Sequence, residues 1–300
     1  MLHDLPIRYI NPVYRPPSEA QSLILPVTDG CSWNRCTFCE MYTAAQKRFR
    51  ARDEAEIVHS LQQLGASPLR DQVRRVFLAD GDALVLPTRK LLVVLCAIRE
   101  HLPAVHRVSS YCLPRNLNKK SVAELRELNE AGLRLAYVGA ESGDDTVLAR
   151  VDKGETFATT VAALEKLGAA NISRSVMILN GLGGLEYSAA HARHSAALAN
   201  ATQPEYLATL VVSFPAGEQR FRAAYPEWQT PDIAALLREQ EQFIAALELN
   251  RTVFRSDHAS NWLSLRGNLP QDKGRLLAEL RSAIAAPQNA PLRPAWARGL

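Results

Sequence analysis

The chain has 300 residues, of which 47% are hydrophobic and 22% charged, with a formal net charge of +4. That make-up is ordinary for a globular protein, and the charge is too small to mark a nucleic-acid binder by itself. The longest apolar run, residues 91–98, is far too short to span a bilayer. Five cysteines in a chain of this length exclude a small disulfide scaffold. The first residues, Met-Leu-His-Asp-Leu-Pro, lack the basic start and apolar core of a secretory signal. The expectation is therefore a cytoplasmic protein in a reducing compartment.

Four prolines, Pro6, Pro12, Pro16 and Pro17, make residues 1–21 an extended lead-in. Residues 22–27 read as a first strand, and a cysteine-bearing loop follows. A helix is expected over 55–64, a second strand over 73–79, and a helix capped by Thr88 that runs to about residue 101. Residues 108–111 form a short third strand. Ser121, with Glu124 three residues on, has the spacing of a capping box, and Gly132 ends the helix it opens. A fourth strand spans 135–139, helical segments 145–150 and 160–167, and a fifth strand 176–179. A helix over 188–200 and a sixth strand over 206–212 complete this series. After Pro215 the pattern changes to a charged helix over 232–249, a short strand over 252–255 and a helix over 272–285. From Pro287 three prolines mark a loose terminus.

Six strand-then-helix units argue for a parallel sheet, and right-handed crossovers would wind it toward a barrel. Six are too few for a complete eight-fold barrel. Counting alone does not separate a partial barrel from a flat doubly wound sheet. In α/β barrels the chemistry sits on loops at the carboxyl ends of strands, and the unusual residues of this chain fall there. Strand one runs into the cysteines, strand two into Asp80-Gly81-Asp82, strand four into Glu141-Ser142-Gly143, and strand five into Asn180-Gly-Leu-Gly-Gly184.

Three of the five cysteines, Cys31, Cys36 and Cys39, lie within nine residues, with Phe38 just before the last. Three thiolates can hold a metal but fall one short of a closed zinc site or a saturated iron–sulfur cluster. No fourth Cys or His follows at zinc-finger spacing. A cluster held by three thiolates leaves one iron open to a ligand that reacts.

This Cys-x4-Cys-x2-Cys segment resembles the cluster motif of the radical S-adenosylmethionine (radical SAM) enzymes. That family usually has three residues in the first gap and an aromatic in the second. Phe38 matches the aromatic, and the first gap is one residue longer. The resemblance covers residues 22–215, more weakly to 285, and is to the branch with the Elongator-type, methylthiotransferase-type and coproporphyrinogen-oxidase-type enzymes. It implies a partial (β/α)6 TIM-type barrel over 22–215, a C-terminal helical extension over 216–286 and a loose tail over 287–300. It also implies a [4Fe–4S] cluster on Cys31, Cys36 and Cys39 with SAM on the open iron. One electron would then split SAM into methionine and a 5′-deoxyadenosyl radical that takes hydrogen from a substrate.

The resemblance assigns the remaining residues. Asp80, Gly81 and Asp82 stand where the family binds the SAM amino group, although Asp-Gly is also common turn chemistry. Glu141, with Ser142, stands where a carboxylate takes the ribose hydroxyls, although Glu141 or Asp144 would also suit a helix N-terminus. Lys153 stands where a basic residue meets the SAM carboxylate, or is a solvated surface lysine. Asn180 and Gly181 begin the segment that lines the adenine. Arg174, a charge inside strand five, faces either the barrel interior or its edge.

Other residues read more plainly. His191 and His194 form a polar helix face, with no zinc pattern beside them. Cys96 reads as core, and Cys112 as a thiol at a site-forming strand end. Arg255, His258 and Asn261 form a polar cluster at the open mouth. The implied partners are an electron donor such as flavodoxin or ferredoxin and a small or medium anionic substrate rather than RNA. The alternatives are a non-catalytic iron–sulfur or zinc-binding module, and tRNA modification as the substrate class.

Overall fold

The computed structural model describes residues 5–299. Residues 1–4, the start of the expected lead-in and of the stretch read for a secretory signal, and residue 300, the end of the expected tail, lie outside the described residues. The chain divides into two compact units, one of residues 5–34, 41–138 and 165–174, the other of residues 35–40, 139–164 and 175–299.

In the first unit, β1 (Leu23–Pro26) is followed by the two-residue strands β2 (Thr28–Asp29) and β3 (Arg50–Ala51), which pair antiparallel and bracket the cysteine loop. Helix α1 (Glu54–Gly65) begins at Asp53, whose carboxylate accepts the N–H groups of Ala55 and Glu56. Then come β4 (Arg75–Ala79), α2 (Thr88–His101), β5 (Arg107–Cys112), α3 (Val122–Glu130) and β6 (Leu133–Glu141), the last running on into the second unit. Strands β1, β4, β5 and β6 pair in parallel in that order. Their interiors are almost wholly buried, the mark of strands covered on both faces.

Ser121 and Glu124 form the expected capping box, with Glu124 N–H donating to Ser121 Oγ (3.2 Å) and Ser121 N–H to Glu124 (2.8 Å). Thr88 does not cap α2. Its hydroxyl donates instead to Glu124 Oε1 (3.0 Å), which ties α2 to α3. The lead-in is packed rather than merely extended. Tyr9 and Val13 lie on the core formed by Ile24, Phe77, Leu135 and Tyr137, and Glu19 is fully buried.

The second unit contains α4 (Asp145–Arg150), β7 (Ser173–Asn180), α6 (Gly184–Thr202), β8 (Tyr206–Val211), α7 (Gln219–Ala224), α8 (Ile233–Ala246), β9 (Thr252–Ser256), β10 (Leu265–Leu269) and α9 (Lys273–Ala285); the first residues of β7 and the end of α5 (Phe157–Ala169) belong to the first unit. Here β7, β8 and β9 pair in parallel and β10 returns antiparallel to β9. The fold is thus α/β with mostly parallel strands. The structure adds β2, β3, β10 and α7 to the elements expected from the sequence.

Two expectations fail at the C-terminal end. The segment after Pro287 is not loose, since Arg293 donates to the carbonyls of His258 and Asn261 and Arg298 donates to that of Ser260. Asn261 is buried, donating to Thr209 O (2.9 Å) and accepting from Val211 N–H (3.0 Å), so it completes the edge of β8 rather than facing a substrate. Arg255 is exposed and donates to its neighbour's carbonyl, Phe254 O, and the His258 ring lies against Ser260.

Candidate functional site

In the first unit the structure brings Cys31 together with the loop after β4. Gly81 has φ +61°, and a Cβ there would stand 1.8 Å from Gly30 O and 2.9 Å from Cys31 Cα, so only glycine lets the two loops touch. Asp82 fixes the contact: its carboxylate accepts Ser32 N–H (2.8 Å), the Ser32 hydroxyl and Asn116 Nδ2 (2.9 Å). Asp80 is buried and paired with buried Lys47 through Oδ2. Its Oδ1 is buried with no hydrogen-bond partner among the described residues. Burial pushes both carboxyls up, against the hydrogen bonds they accept. An unpaired acceptor oxygen at this strand end is what a ligand ammonium would satisfy.

In the second unit, Phe38 is the anchor of the cysteine loop. Its ring packs on the core of Val147, Val151, Leu182, Phe221 and Trp228. Thr37 N–H donates to Val151 O (3.0 Å), Arg35 pairs with Asp152 (2.9 Å), and Arg220 donates to Cys39 O (2.8 Å). Burial pushes the Cys36 thiol up to about 11, while the Lys153 cation pulls it down and Glu141 and Cys39 push it up. These causes place Cys36, Glu141 and Lys153 in one neighbourhood. Lys153 is not a solvated surface residue; it is buried and donates to Glu141 Oε1 (3.0 Å).

Glu141 stands at the end of β6 with φ +65°, a left-handed conformation uncommon for a residue with a side chain. Backbone strain of this kind is kept where the surroundings over-determine it, and it clusters at functional sites. Ser142, by contrast, is fully buried, with its Oγ 2.8 Å from His191 Nδ1 and accepting Asp144 N–H (2.9 Å). It shapes the turn and does not face a ligand. His191 is therefore a buried partner of this loop rather than part of a solvated helix face, and His194 pairs with Asp144 (2.7 Å).

The loop after β7 is held on every side. Asn180 donates to Leu236 O (3.2 Å). Gly181 has φ +85°, and a Cβ there would stand 2.7 Å from Leu236 Cδ2. Arg174 does not join these loops. It sits at the amino end of β7 with its guanidinium against Gly168 of α5. Cys112 is buried and its Sγ donates to Leu113 O (3.3 Å). Cys96 is exposed, against the expectation of a core position.

The residues missed from the sequence are Lys47, Tyr42, Asn116, Arg220 and Glu239. The Tyr42 hydroxyl accepts Gly81 N–H (3.1 Å), and Glu239 accepts Gly181 N–H (2.6 Å). Only Glu239 carried a signal, a carboxylate on the same stripe as Leu236 and Phe243.

Cys31, Cys36 and Cys39 are each partly exposed. Among the described residues no three His, Cys, Asp or Glu side chains form a ready metal cage, so the fit of an iron–sulfur cluster rests on donor chemistry. Three thiols suit iron, and the desolvation that keeps Cys36 protonated is offset when iron replaces the proton. Among the described residues no helix is long and apolar enough to cross a membrane.

No curated protein sequence matches the chain. Solved structures that it resembles include coproporphyrinogen III oxidase (HemN) from Escherichia coli, at TM-score 0.53 and 16% identity, over 75% of this chain and 51% of that one. The cobalamin-dependent S-adenosylmethionine radical enzyme OxsB is similar at TM-score 0.51 and 14% identity, over 77% and 33%. HydG, a maturase of the [FeFe]-hydrogenase, is similar at TM-score 0.50 and 14% identity, over 76% and 50%. The chain thus spans a third to a half of these structures, and at such identities the likeness is one of fold, the partial TIM-type barrel. The family model of the radical SAM superfamily matches residues 25–194, more than half of the chain. Enzymes of that superfamily use a [4Fe–4S] cluster and S-adenosylmethionine and draw on a reductant. The match takes in the three cysteines and the loops after β4, β6 and β7, and the chain belongs to the radical SAM superfamily.

Proposed function

We propose that this chain is an enzyme that cleaves SAM reductively at a [4Fe–4S] cluster held by Cys31, Cys36 and Cys39. When bound and reduced, the cluster supplies the electron that splits SAM into methionine and a 5′-deoxyadenosyl radical, which takes hydrogen from a substrate. The observation that carries this reading is the strained Glu141, held by Lys153 beside Cys36 within one unit. Lys153 fixes one carboxylate oxygen and orients the group for the ribose hydroxyls. Asp80 offers its unpaired oxygen to the SAM ammonium, and the Gly181 loop offers backbone to the adenine. Asp82 holds the Cys31 loop through Ser32, and Phe38 holds the other end of the cysteine loop on a packed core. The proposed reductant is a flavodoxin or ferredoxin, and the proposed compartment the cytoplasm.

With dithionite and SAM, anaerobically reconstituted protein should form 5′-deoxyadenosine slowly without substrate. Glu141→Ala should weaken SAM binding by about 1.5–3 kcal/mol, the scale of a hydrogen bond to a charged group. Absence of 5′-deoxyadenosine from cluster-loaded protein would refute the reaction, and unchanged affinity in the variant would refute the role of Glu141.

For the substrate, we propose a small or medium anionic molecule. The support is the slight positive excess of +4, without a Lys/Arg-rich segment interleaved with aromatics. RNA affinity should be weak at physiological salt. Tight tRNA binding that falls steeply with salt, as counterion release demands, would move the substrate class to tRNA modification.

A further inference from the structure

A chain of buried polar groups links two strand-end loops of the second unit. Glu239, on α8, is almost wholly inaccessible. Its Oε1 accepts Gly181 N–H (2.6 Å), and its Oε2 accepts the Ser188 hydroxyl of α6 (2.6 Å). His191 Nε2 lies 3.7 Å from Oε1, and the other ring nitrogen reaches Ser142 Oγ at 2.8 Å. Ser142 in turn receives Asp144 N–H, and the next residue, Gly143, donates to Ser195 Oγ (2.9 Å). From the far side, Trp228 Nε1 donates to Gly181 O (3.2 Å). The peptide groups of Gly181 are therefore held between a carboxylate and an indole.

Ser142, His191 and Glu239 are the residue types of a hydrolytic triad, but Ser142 has no exposed surface. A nucleophile must reach a substrate, so the arrangement has a different role. We propose that Glu239 is a positioning residue that locks the Gly181 loop and, through His191, the Glu141-Ser142 turn into one geometry for SAM. The proposal rests on the SAM reading given above. Burial pushes the Glu239 carboxyl up, and the His191 ring pulls it back down, the balance expected of an acceptor held in a dry site by its donors. A sequence-distant helix, outside the matched residues 25–194, thereby acts on two motifs inside them.

The test uses the full chain and five variants. Glu239→Met keeps the bulk and removes both acceptor oxygens, leaving Gly181 N–H buried and unpaired, so SAM binding measured by calorimetry on reconstituted protein should weaken at least about tenfold. Glu239→Gln still accepts that N–H and should recover most of the lost affinity. Arg238→Met, on the exposed face of the same helix, serves as the control. In apo protein the Trp228 indole N–H resonance, assigned with Trp228→Phe, should shift in Glu239→Met and not in Arg238→Met. If Glu239→Met does not fold, Ser188→Ala removes one donor at a half-buried position and should move both signals the same way by less.

SAM affinity in Glu239→Met within about twofold of the parent would overturn the proposal, whether or not the indole moves. So would failure of Glu239→Gln to restore binding. Loss of SAM binding in the parent protein itself would sink the functional reading, while the indole signal, which needs no cofactor, would still decide whether Glu239 fixes the loop.

Discussion

Anaerobic reconstitution should load about four irons per chain, with broad absorbance near about 400 nm from thiolate-bound iron, and Cys31→Ala, Cys36→Ala or Cys39→Ala should each abolish it. The effect is all or none because three thiolates are already one fewer than a closed iron–sulfur site needs. Two would leave the cluster open to solvent on a second iron. Cys96→Ala and Cys112→Ala should load iron normally, since Cys96 is exposed on α2 and Cys112 is committed to Leu113 O. Stoichiometric zinc with no iron uptake would decide for the non-catalytic zinc-binding alternative.

The second large effect is on folding. Glu19 is fully buried and accepts hydrogen bonds from Tyr137 Oη (2.7 Å), Arg107 Nη2 (2.8 Å) and the Ser22 hydroxyl. Glu19→Ala strands the Arg107 cation and leaves the Tyr137 hydroxyl only its contact with Ser18 Oγ (2.8 Å). Breaking a buried pair from one side costs about 3–5 kcal/mol. The expected loss is about 3 kcal/mol, because the Arg107 side chain is a quarter exposed and water screens part of the charge. Denaturant midpoints would show it, with exposed Glu130→Ala as the reference. A midpoint for Glu19→Ala no lower than that of Glu130→Ala would mean that the lead-in contributes nothing to the core.

What the sequence disclosed follows from how local each signal is. The helix beginning at Ser121 was legible because its capping side chain and the N–H partner lie within four residues. Strand β10 was not, since Leu265-Arg-Gly-Asn-Leu269 carries glycine and asparagine, which are poor strand formers, and is a strand only because β9 pairs with it. Helix α7 is six residues long with no side-chain cap. The three cysteines were legible because rare residues at close spacing need no tertiary knowledge. Glu239 and Lys47 were not, because their partners lie 58 and 33 residues away along the chain. Thr88 shows the converse: a residue well suited to cap its own helix gave its hydroxyl to a neighbouring one.

The return of the chain through β10 has a consequence for self-association. A strand that ends a sheet presents unpaired peptide groups to any passing copy, and long flat apolar edges nucleate aggregates. Here the last strand is five residues long, alternates buried and exposed positions, and turns Arg266 and Asn268 outward. Arg266 is paired with Asp257 (2.6 Å), and Pro270, which has no N–H to give, follows at once. A second molecule that tried to extend the sheet would have to displace the Arg275 guanidinium from Arg266 O (2.6 Å) and the Asp272 carboxylate from Asn268 N–H (2.7 Å) for a ladder of very few hydrogen bonds. The chain is thereby protected from edge-to-edge polymerisation on the side where its parallel strands end.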